Sequence, residues 1–511
     1  MRIYLPKSSR LPLAICLGFF CLQLSYISYG TWINDLPHLS QTVQPESLRS
    51  TLLNDAIVNQ NNQLAENPNT WLTRYKLYAV TADEMVNLMA LSRLNPRQGQ
   101  LDPHFYMYGG AYLYLLAAWY GFGHLIGLLP LPTLDQLLAS PDLVDLLYIW
   151  GRLFVLLVFT TSAWIMHQTF RLLFTKTTSL SLLIIYLLVP ASLIFSITMK
   201  PHWYALLPAA ISLYLITYLF THSKRPPWHL PVLSLSLGLA VASTSSYALF
   251  AVIIYAILIY AYKKSLLPLS SLFYIPAGAI IVFIITNPFI FLNYSAYQQE
   301  SAALWSWYSL QATPLDFLNF VKNSLVAGFG LVGLFALAAA STRPRLGAPI
   351  IFIILFAAIV TSSVSYWNNA YRFIPFFLPL ALLLIGHAFT PRYLTILALL
   401  TTTLAIPTIT AYYDEDSPTY STRYQAAAWI NQNIPEQSTI CAQMVPYNSA
   451  PFDFTRLQVT PDCQYQIEIH PHTTTNPPPN IIAQFIPRLY SRLFPLVHGE
   501  VQPRVYITKS P

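Results

Sequence analysis

SLSLLIIYLLVPASLIFSITMKPHWYALLPAAISLYLITYLF, residues 179–220, contains two uncharged apolar stretches, 179–198 and 203–220, joined by a very short turn that carries Lys200 and His202. Each stretch is close to the ~20 residues that cross the ~30 Å hydrocarbon core of a bilayer. The pair reads as two membrane helices with a cation at their junction. Working outward, similar runs occur at 11–30, 146–169, 231–244, 246–262, 266–287, 319–340, 347–365, 371–389 and 393–411. With the two quoted stretches these make eleven candidate crossings. The composition agrees: 511 residues, 55% hydrophobic, 9% charged, with mean hydropathy +0.48, which excludes an ordinary soluble protein.

Charge sets the expected orientation. With Arg2, Lys7 and Arg10 inside, the positive-inside rule also places Arg171, Lys176, Lys224, Arg225, Lys263, Lys264, Arg343, Arg345 and Arg392 inside, and all 20 acidic residues fall outside. The net charge of +7 is spread over small groups between apolar runs, so no nucleic-acid partner is expected. One run, GGAYLYLLAAWYGFGHLIGLLPL at 109–131, would upset the parity and reads as interfacial or re-entrant, with a true span as the alternative. The stretch 231–262 is short for two crossings; one tilted helix plus a half-helix is the alternative. The first run has a cleaved signal peptide as its alternative reading. Its Cys16 and Cys21 read as packing residues.

The expected architecture is an α-helical polytopic membrane protein of about 11 to 13 spans. A membrane domain, residues 1–411, is followed by a small soluble α/β domain, 412–511, on the extracytoplasmic face. In that tail the sequence predicts a helix at 420–433, a strand at 438–445 and a last strand at VYIT, with NPPPN at 476–480 as a linker or extended segment. Cys441 and Cys463, the only cysteines outside the first run, are expected to form a disulfide. His470 and His472 lack a third ligand at useful spacing and read as surface residues.

Two outside loops are long. The loop 288–318 carries Tyr294, Tyr297, Trp305, Trp307 and Tyr308, an aromatic group suited to the membrane interface or to a lipid-linked ligand. The loop 31–108 is too long for a connector, and its segment TADEMVNLMALSRL, 81–94, predicts an amphipathic helix. Thr81 and Glu84 have capping-box spacing, and Met85, Leu88 and Met89 form one apolar stripe. Asp83 and Glu84 therefore open a helix at the membrane surface. An acidic first turn is stabilised by the helix dipole, which accounts for both residues without chemistry. Asp102, His104, Tyr106 and Tyr108 make a second polar cluster near the boundary. Lys200 has the form of an anion site, against which stands snorkelling of its stem. Arg372 at the outer start of a helix runs against the charge rule.

These features, in order, resemble a known family. The long first loop with its acidic pair, LDPHFYMYGGAYLYLLAAW, WGRLFVLLVF, KPHWYALLPAAISLYL, YRFIPFFLPLALLL and RYQAAAWINQNIPEQSTI together resemble the GT-C glycosyltransferases. Among them the chain is most similar to bacterial relatives of the protein O-mannosyltransferases and aminoarabinose transferases. The motifs are short and degenerate. Asp102, Pro103 and His104 stand where the family has His-Pro-Pro or Lys-Pro-Pro, and His202 stands at or near a family acidic position.

The resemblance implies a polyprenyl-phosphate-linked sugar as donor, held partly by membrane lipid, and transfer to an acceptor hydroxyl with inversion. It implies Asp83 as general base, with Glu84 beside it. Lys200, His202 and Arg372 would hold the donor phosphate, and Asp102, His104 and Tyr106 would line a substrate loop. No Gly-rich nucleotide loop is present in the sequence, no cofactor is expected and a divalent metal is not indicated. Two rivals remain. A transporter or flippase of lipid-linked saccharide should carry a repeat and charges inside its spans, whereas no repeat is visible and the run interiors read as uncharged. A surface-polysaccharide polymerase or ligase would share the donor.

Overall fold

Pro190 breaks the first half of the opening stretch. A residue before proline is driven to extended backbone, and Val189 has ψ 145°, which ends one helix at Leu188 and lets Pro190 start a short turn of helix to Phe195. This observation comes from a computed structural model, which describes residues 10–31, 79, 81–132, 136–137, 141–223, 226–308, 330–342, 375–442, 450–453, 456–460, 463–470, 477–488 and 504–509. Arg372, His472, Lys224 and Arg225 lie outside the described residues, as do residues 319–329 of the run 319–340 and the whole run 347–365.

The protein is mostly helical. The helices used below are α1 (Arg10–Leu24), α2 (Ala82–Ser92), α3 (Gly110–Leu125), α4 (Pro141–Leu173), α5 (Lys176–Leu188), α6 (Leu206–Thr221), α7 (His229–Ser243), α8 (Tyr247–Lys263), α9 (Ser271–Thr286), α10 (Tyr294–Tyr308), α11 (Leu331–Thr342), α12 (Phe377–Ala388), α13 (Pro391–Glu415) and α14 (Thr422–Asn433). Among the described residues three helices are long and apolar enough to cross a membrane: Leu143–Leu173, Pro201–Thr221 and Pro391–Glu415. The apolar helices α1, α5, α7, α8, α9 and α12 are shorter. The 231–262 stretch is two helices, α7 and α8, separated by an extended Thr244 at φ −163°. The run at 109–131 forms α3, 16 residues long, and ends where Gly127 takes φ +74° and Leu128 and Leu129 donate to the Gly123 carbonyl.

The chain divides into two compact units. One comprises Met1–Ser25, Arg93–Ala118 and Leu153–Ala405; the other comprises Tyr26–Ser92, Trp119–Arg152 and Ile406–Pro511. The first is a helical assembly. In it α7 and α9 run parallel and touch through small residues: a Cβ on Gly238 would stand 2.7 Å from the Ala279 carbonyl, and one on Gly278 would stand 2.3 Å from Ser234 Oγ. Close helix approach through small residues is the usual solution where lipid supplies no hydrophobic drive.

The second unit carries a five-stranded sheet, β1 (Thr439–Ala442), β2 (Gln458–Val459), β3 (Tyr465–His470), β4 (Ile481–Phe485) and β5 (Arg504–Lys509), in the order β2-β1-β3-β5-β4. β1 is parallel to β2 and β3, whereas β5 is antiparallel to β3 and β4. α14, whose N-cap Ser421 accepts from Tyr424 N, lays Ala426, Ala427 and Ile430 on Ile440, Ile467, Val505 and Ile507 to form the core. Of the two readings of NPPPN, linker or extended segment, the second fits its described residues 477–480, which lead directly into β4, with Asn480 O accepting from Lys509 N.

Cys441 on β1 is bridged to Cys463, with Cα atoms 5.5 Å apart and a sequence separation of 22. A closed loop of this size should stabilise the sheet by roughly 3 kcal/mol. Reduction should therefore lower the unfolding midpoint of the tail, as read by proteolysis of the β1 to β3 region. Equal resistance with and without reductant would contradict this.

Candidate functional site

The acidic pair splits in its surroundings. Successive helical residues point about 100° apart, so the first turn of α2 cannot face both carboxylates the same way. Glu84 is fully buried and Asp83 only partly so. Arg152 Nε donates to Glu84 Oε1 at 3.0 Å and Arg152 Nη2 to Oε2 at 2.6 Å, a bidentate pair with both side chains out of contact with solvent. Arg152 Nη1 donates to the Ile27 and Tyr29 carbonyls, each at 2.7 Å, and its guanidinium lies 4.5 Å from the Tyr29 ring centroid.

Arg152 lies within the apolar run 146–169, which overturns the expectation that the run interiors carry no charge. It also changes the reading of Glu84: the spacing suggested a reciprocal cap, whereas its carboxylate is engaged by an arginine 68 residues away. Thr81 stays at the helix start, with its carbonyl accepting from Glu84 N at 3.1 Å and its hydroxyl 3.4 Å from that of Tyr29.

The same unit sets further aromatic residues around this stretch of α4, with the Tyr148 ring centroid 5.9 Å from the Arg152 guanidinium. Trp119 and Trp150 stack with centroids 4.9 Å apart, and each indole N–H donates to the other residue's carbonyl, at 2.9 and 3.1 Å. Tyr120 donates to the Leu147 carbonyl at 2.6 Å, and the Tyr148 hydroxyl accepts from Ala79 N at 3.3 Å. Behind Tyr29, Gly30 at φ +67° donates its N–H to Asp416 Oδ1 at 2.8 Å.

Burial pushes the Asp416 carboxyl up to about 7; neighbouring Glu415 adds to the shift, while the Gly30 bond and Arg152 oppose it. Between about pH 4 and about pH 7 the unfolded chain has lost this proton and the folded one has kept it, so stability falls as pH rises through that window. Asp416→Asn keeps the acceptor for Gly30 and should flatten the decline. Thermal midpoints at pH 5 and pH 8 test it, and a variant that follows the wild-type slope would show the dependence to come from another group.

The second polar cluster is in the first unit. Asp102 accepts from His104 N at 2.9 Å, from the Tyr106 hydroxyl at 3.0 and 3.2 Å, and from the Asn293 amide. Glu300, on α10, accepts from the backbone N–H of Tyr106 at 2.9 and 3.0 Å and from that of Met107 at 2.8 Å. Burial raises the Glu300 carboxyl, partly offset by those two bonds and by Arg93. Arg93 Nη1 donates to the His104 carbonyl at 2.6 Å.

The loop then turns at Gly109 and Gly110, where a Cβ would stand 1.8 Å from the Ala242 carbonyl and 1.9 Å from that of Thr286. No residue with a side chain fits there. Their N–H groups donate to the Ser243 carbonyl and to Asn287 Oδ1. Tyr108 meets the edge of the His202 ring at 6.2 Å, which links this loop to the Lys200 turn. Lys200 and His202 are 2% and 5% exposed, much deeper than a turn at a membrane surface was expected to be. The Tyr247 hydroxyl donates to the His202 carbonyl at 2.8 Å.

Asp102, His104 and Tyr106 thus lie on the loop whose Tyr108 touches His202, two residues from Lys200, whereas Asp83 and Glu84 belong to the other unit. On α10 Tyr297 stands edge-on to Tyr106, with centroids 6.4 Å apart, and the side chains of Trp305 and Trp307 lie outside the described residues. Sequence reasoning missed Arg152, Asp416, Arg93, Asn293 and Glu300. Only Arg152 announced itself, as a charge inside an apolar run. Among the described residues no group of three or more His, Cys, Asp or Glu is arranged to hold a metal. No family model and no curated protein matches the chain.

Proposed function

We propose that the chain is an integral-membrane glycosyltransferase that moves a sugar from a polyprenyl-phosphate donor to an acceptor hydroxyl. The observation that carries the reading is the division at the start of α2: Glu84 is locked to Arg152, while Asp83 beside it stays partly exposed. A buried anchor next to a more accessible carboxylate is the arrangement a positioned general base needs.

In the proposed step the Asp83 carboxylate takes the acceptor proton as the hydroxyl oxygen bonds to the anomeric carbon. The bond from that carbon to the phosphate oxygen breaks on the opposite side, and polyprenyl phosphate leaves. The departing phosphate is a stable anion and needs electrostatic support more than a proton, which Lys200, His202 and Arg372 would supply. The proposed setting has 11 to 13 crossings, with the 31–108 loop and the 412–511 tail on the extracytoplasmic side. Charge segregation along the sequence supports it.

Membranes containing the chain, supplied with a labelled polyprenyl-phosphate hexose or pentose and envelope extract as acceptor, test the proposal. Labelled product and free polyprenyl phosphate should appear together. Arg152, a charge inside an apolar run, gives the transporter its best footing. Labelled sugar-lipid that crosses vesicle bilayers unconsumed would replace the transferase by that reading.

A further inference from the structure

The helices α7, α8 and α9 enclose a groove of about 460 Å³ that is apolar throughout, with Leu237, Val241, Ala251, Val252, Ile280 and Phe283 among its walls. Its cause is local. The glycines that draw α7 against α9 leave α8 less closely packed. Pro276 inside α9 has no N–H to give to the Leu272 carbonyl, and the Tyr255 hydroxyl of α8 donates to that carbonyl instead, at 3.3 Å. Tyr255 therefore spends its polar atom on the helix and presents its ring to the groove. Val252 and Ile280 are 64% and 59% exposed, so the groove opens outward from the helical layer.

Two lysines lie beyond the walls of the groove, at the C-terminal end of α8. Lys263 follows Val252 on α8 by eleven residues, about three turns, which puts it within roughly 20° of the same face and about 16 Å along the axis. Lys263 and Lys264 are exposed, and Lys264 Nζ lies 5.7 Å over the Tyr260 ring. Trp228, 54% exposed just before α7, stands at the end of the layer where α8 finishes and α9 begins. An exposed aromatic beside lysines is the pattern of a helix end at lipid head-group level.

We propose that this groove binds one acyl chain of an anionic phospholipid, with the lipid phosphate on Lys263 and Lys264. The apolar walls match a hydrocarbon chain, the volume lies in the range of single small-ligand pockets, and two lysines complement the phosphate. The site stands apart from the transferase reading and uses none of its residues.

The full chain, purified in neutral detergent and stripped of lipid, is to be offered phosphatidylglycerol, phosphatidylcholine or polyprenyl phosphate in mixed micelles, with bound lipid counted by native mass spectrometry. Phosphatidylglycerol should be retained roughly tenfold over phosphatidylcholine. The double change Lys263→Gln and Lys264→Gln should erase that preference, and Ala251→Phe should reduce retention of both at an unchanged thermal midpoint. Should Ala251→Phe fail to fold, Val252→Trp fills the groove from an exposed position. Equal retention of the two head groups overturns the proposal, as does retention indifferent to a filled groove, or displacement of phosphatidylglycerol by an equal amount of polyprenyl phosphate.

Discussion

Asp83→Asn should lower sugar transfer by roughly 10² to 10⁴ while donor binding persists, the range expected for loss of a general base. Asparagine keeps the size of the side chain and suits a helix start, so α2 should form as before. The proton acceptor alone is removed. Asp83 lies in the first turn, where its backbone carbonyl accepts from the Asn87 side chain at 2.9 Å, a bond the substitution leaves intact. Turnover and donor binding should be measured on one membrane preparation with folded protein confirmed. Near-wild-type transfer would move the base elsewhere, and Asp102 would be examined next.

Glu84→Gln should act on stability rather than on chemistry. Glutamine can serve in a capping box, so helix-start chemistry alone predicts a mild effect. The buried arginine predicts a severe one, because removing one member of a buried pair strands the other charge, typically at 3 to 5 kcal/mol. Arg152→Met should cost a similar amount, since Glu84 is then buried without its partner and the Ile27 and Tyr29 carbonyls lose their donor. The double variant should be less damaged than the sum of the two, and the coupling energy measures the pair. Thermal unfolding in detergent is the measurement. Additive losses, or a Glu84→Gln protein as stable as wild type, would show the ion pair to contribute little.

The two effects also separate the residues experimentally. Loss of transfer in a stable Asp83→Asn protein is a chemical result; loss in an unstable Glu84→Gln protein is not.

Local physics was legible in the sequence. The capping-box spacing of Thr81 and Glu84 located the start of α2, and charge-poor apolar stretches located the long helices α4 and α13. The last strand at VYIT and the tail helix at 420–433 were also legible, although the strand is buried on both faces instead of alternating. Where a proline interrupts an apolar run, hydropathy averages over the break. The stretch 179–198 looked continuous although Val189 and Pro190 divide it. Partners distant in sequence were the other failure. Glu84 meets Arg152 across 68 residues, and the Tyr106 and Met107 amides meet Glu300 across 194 and 193. Nothing in a local pattern says which charge will cross such a distance. Only the presence of a charge in an apolar setting says that some partner must.

The clamp on residues 102–107 has an entropic consequence. Asp102 fixes the start of the segment through its own neighbours and Asn293, and Glu300 ties down two consecutive amides at its end. A segment held at both ends has already lost most of its backbone freedom before any ligand arrives. Ordering a free loop costs roughly 1 to 2 kcal/mol per residue, so a molecule that binds this one forgoes that cost and retains more of its contact energy as affinity. Recognition there should be rigid and discriminating, because a frame that cannot rearrange rejects a shape that does not match it.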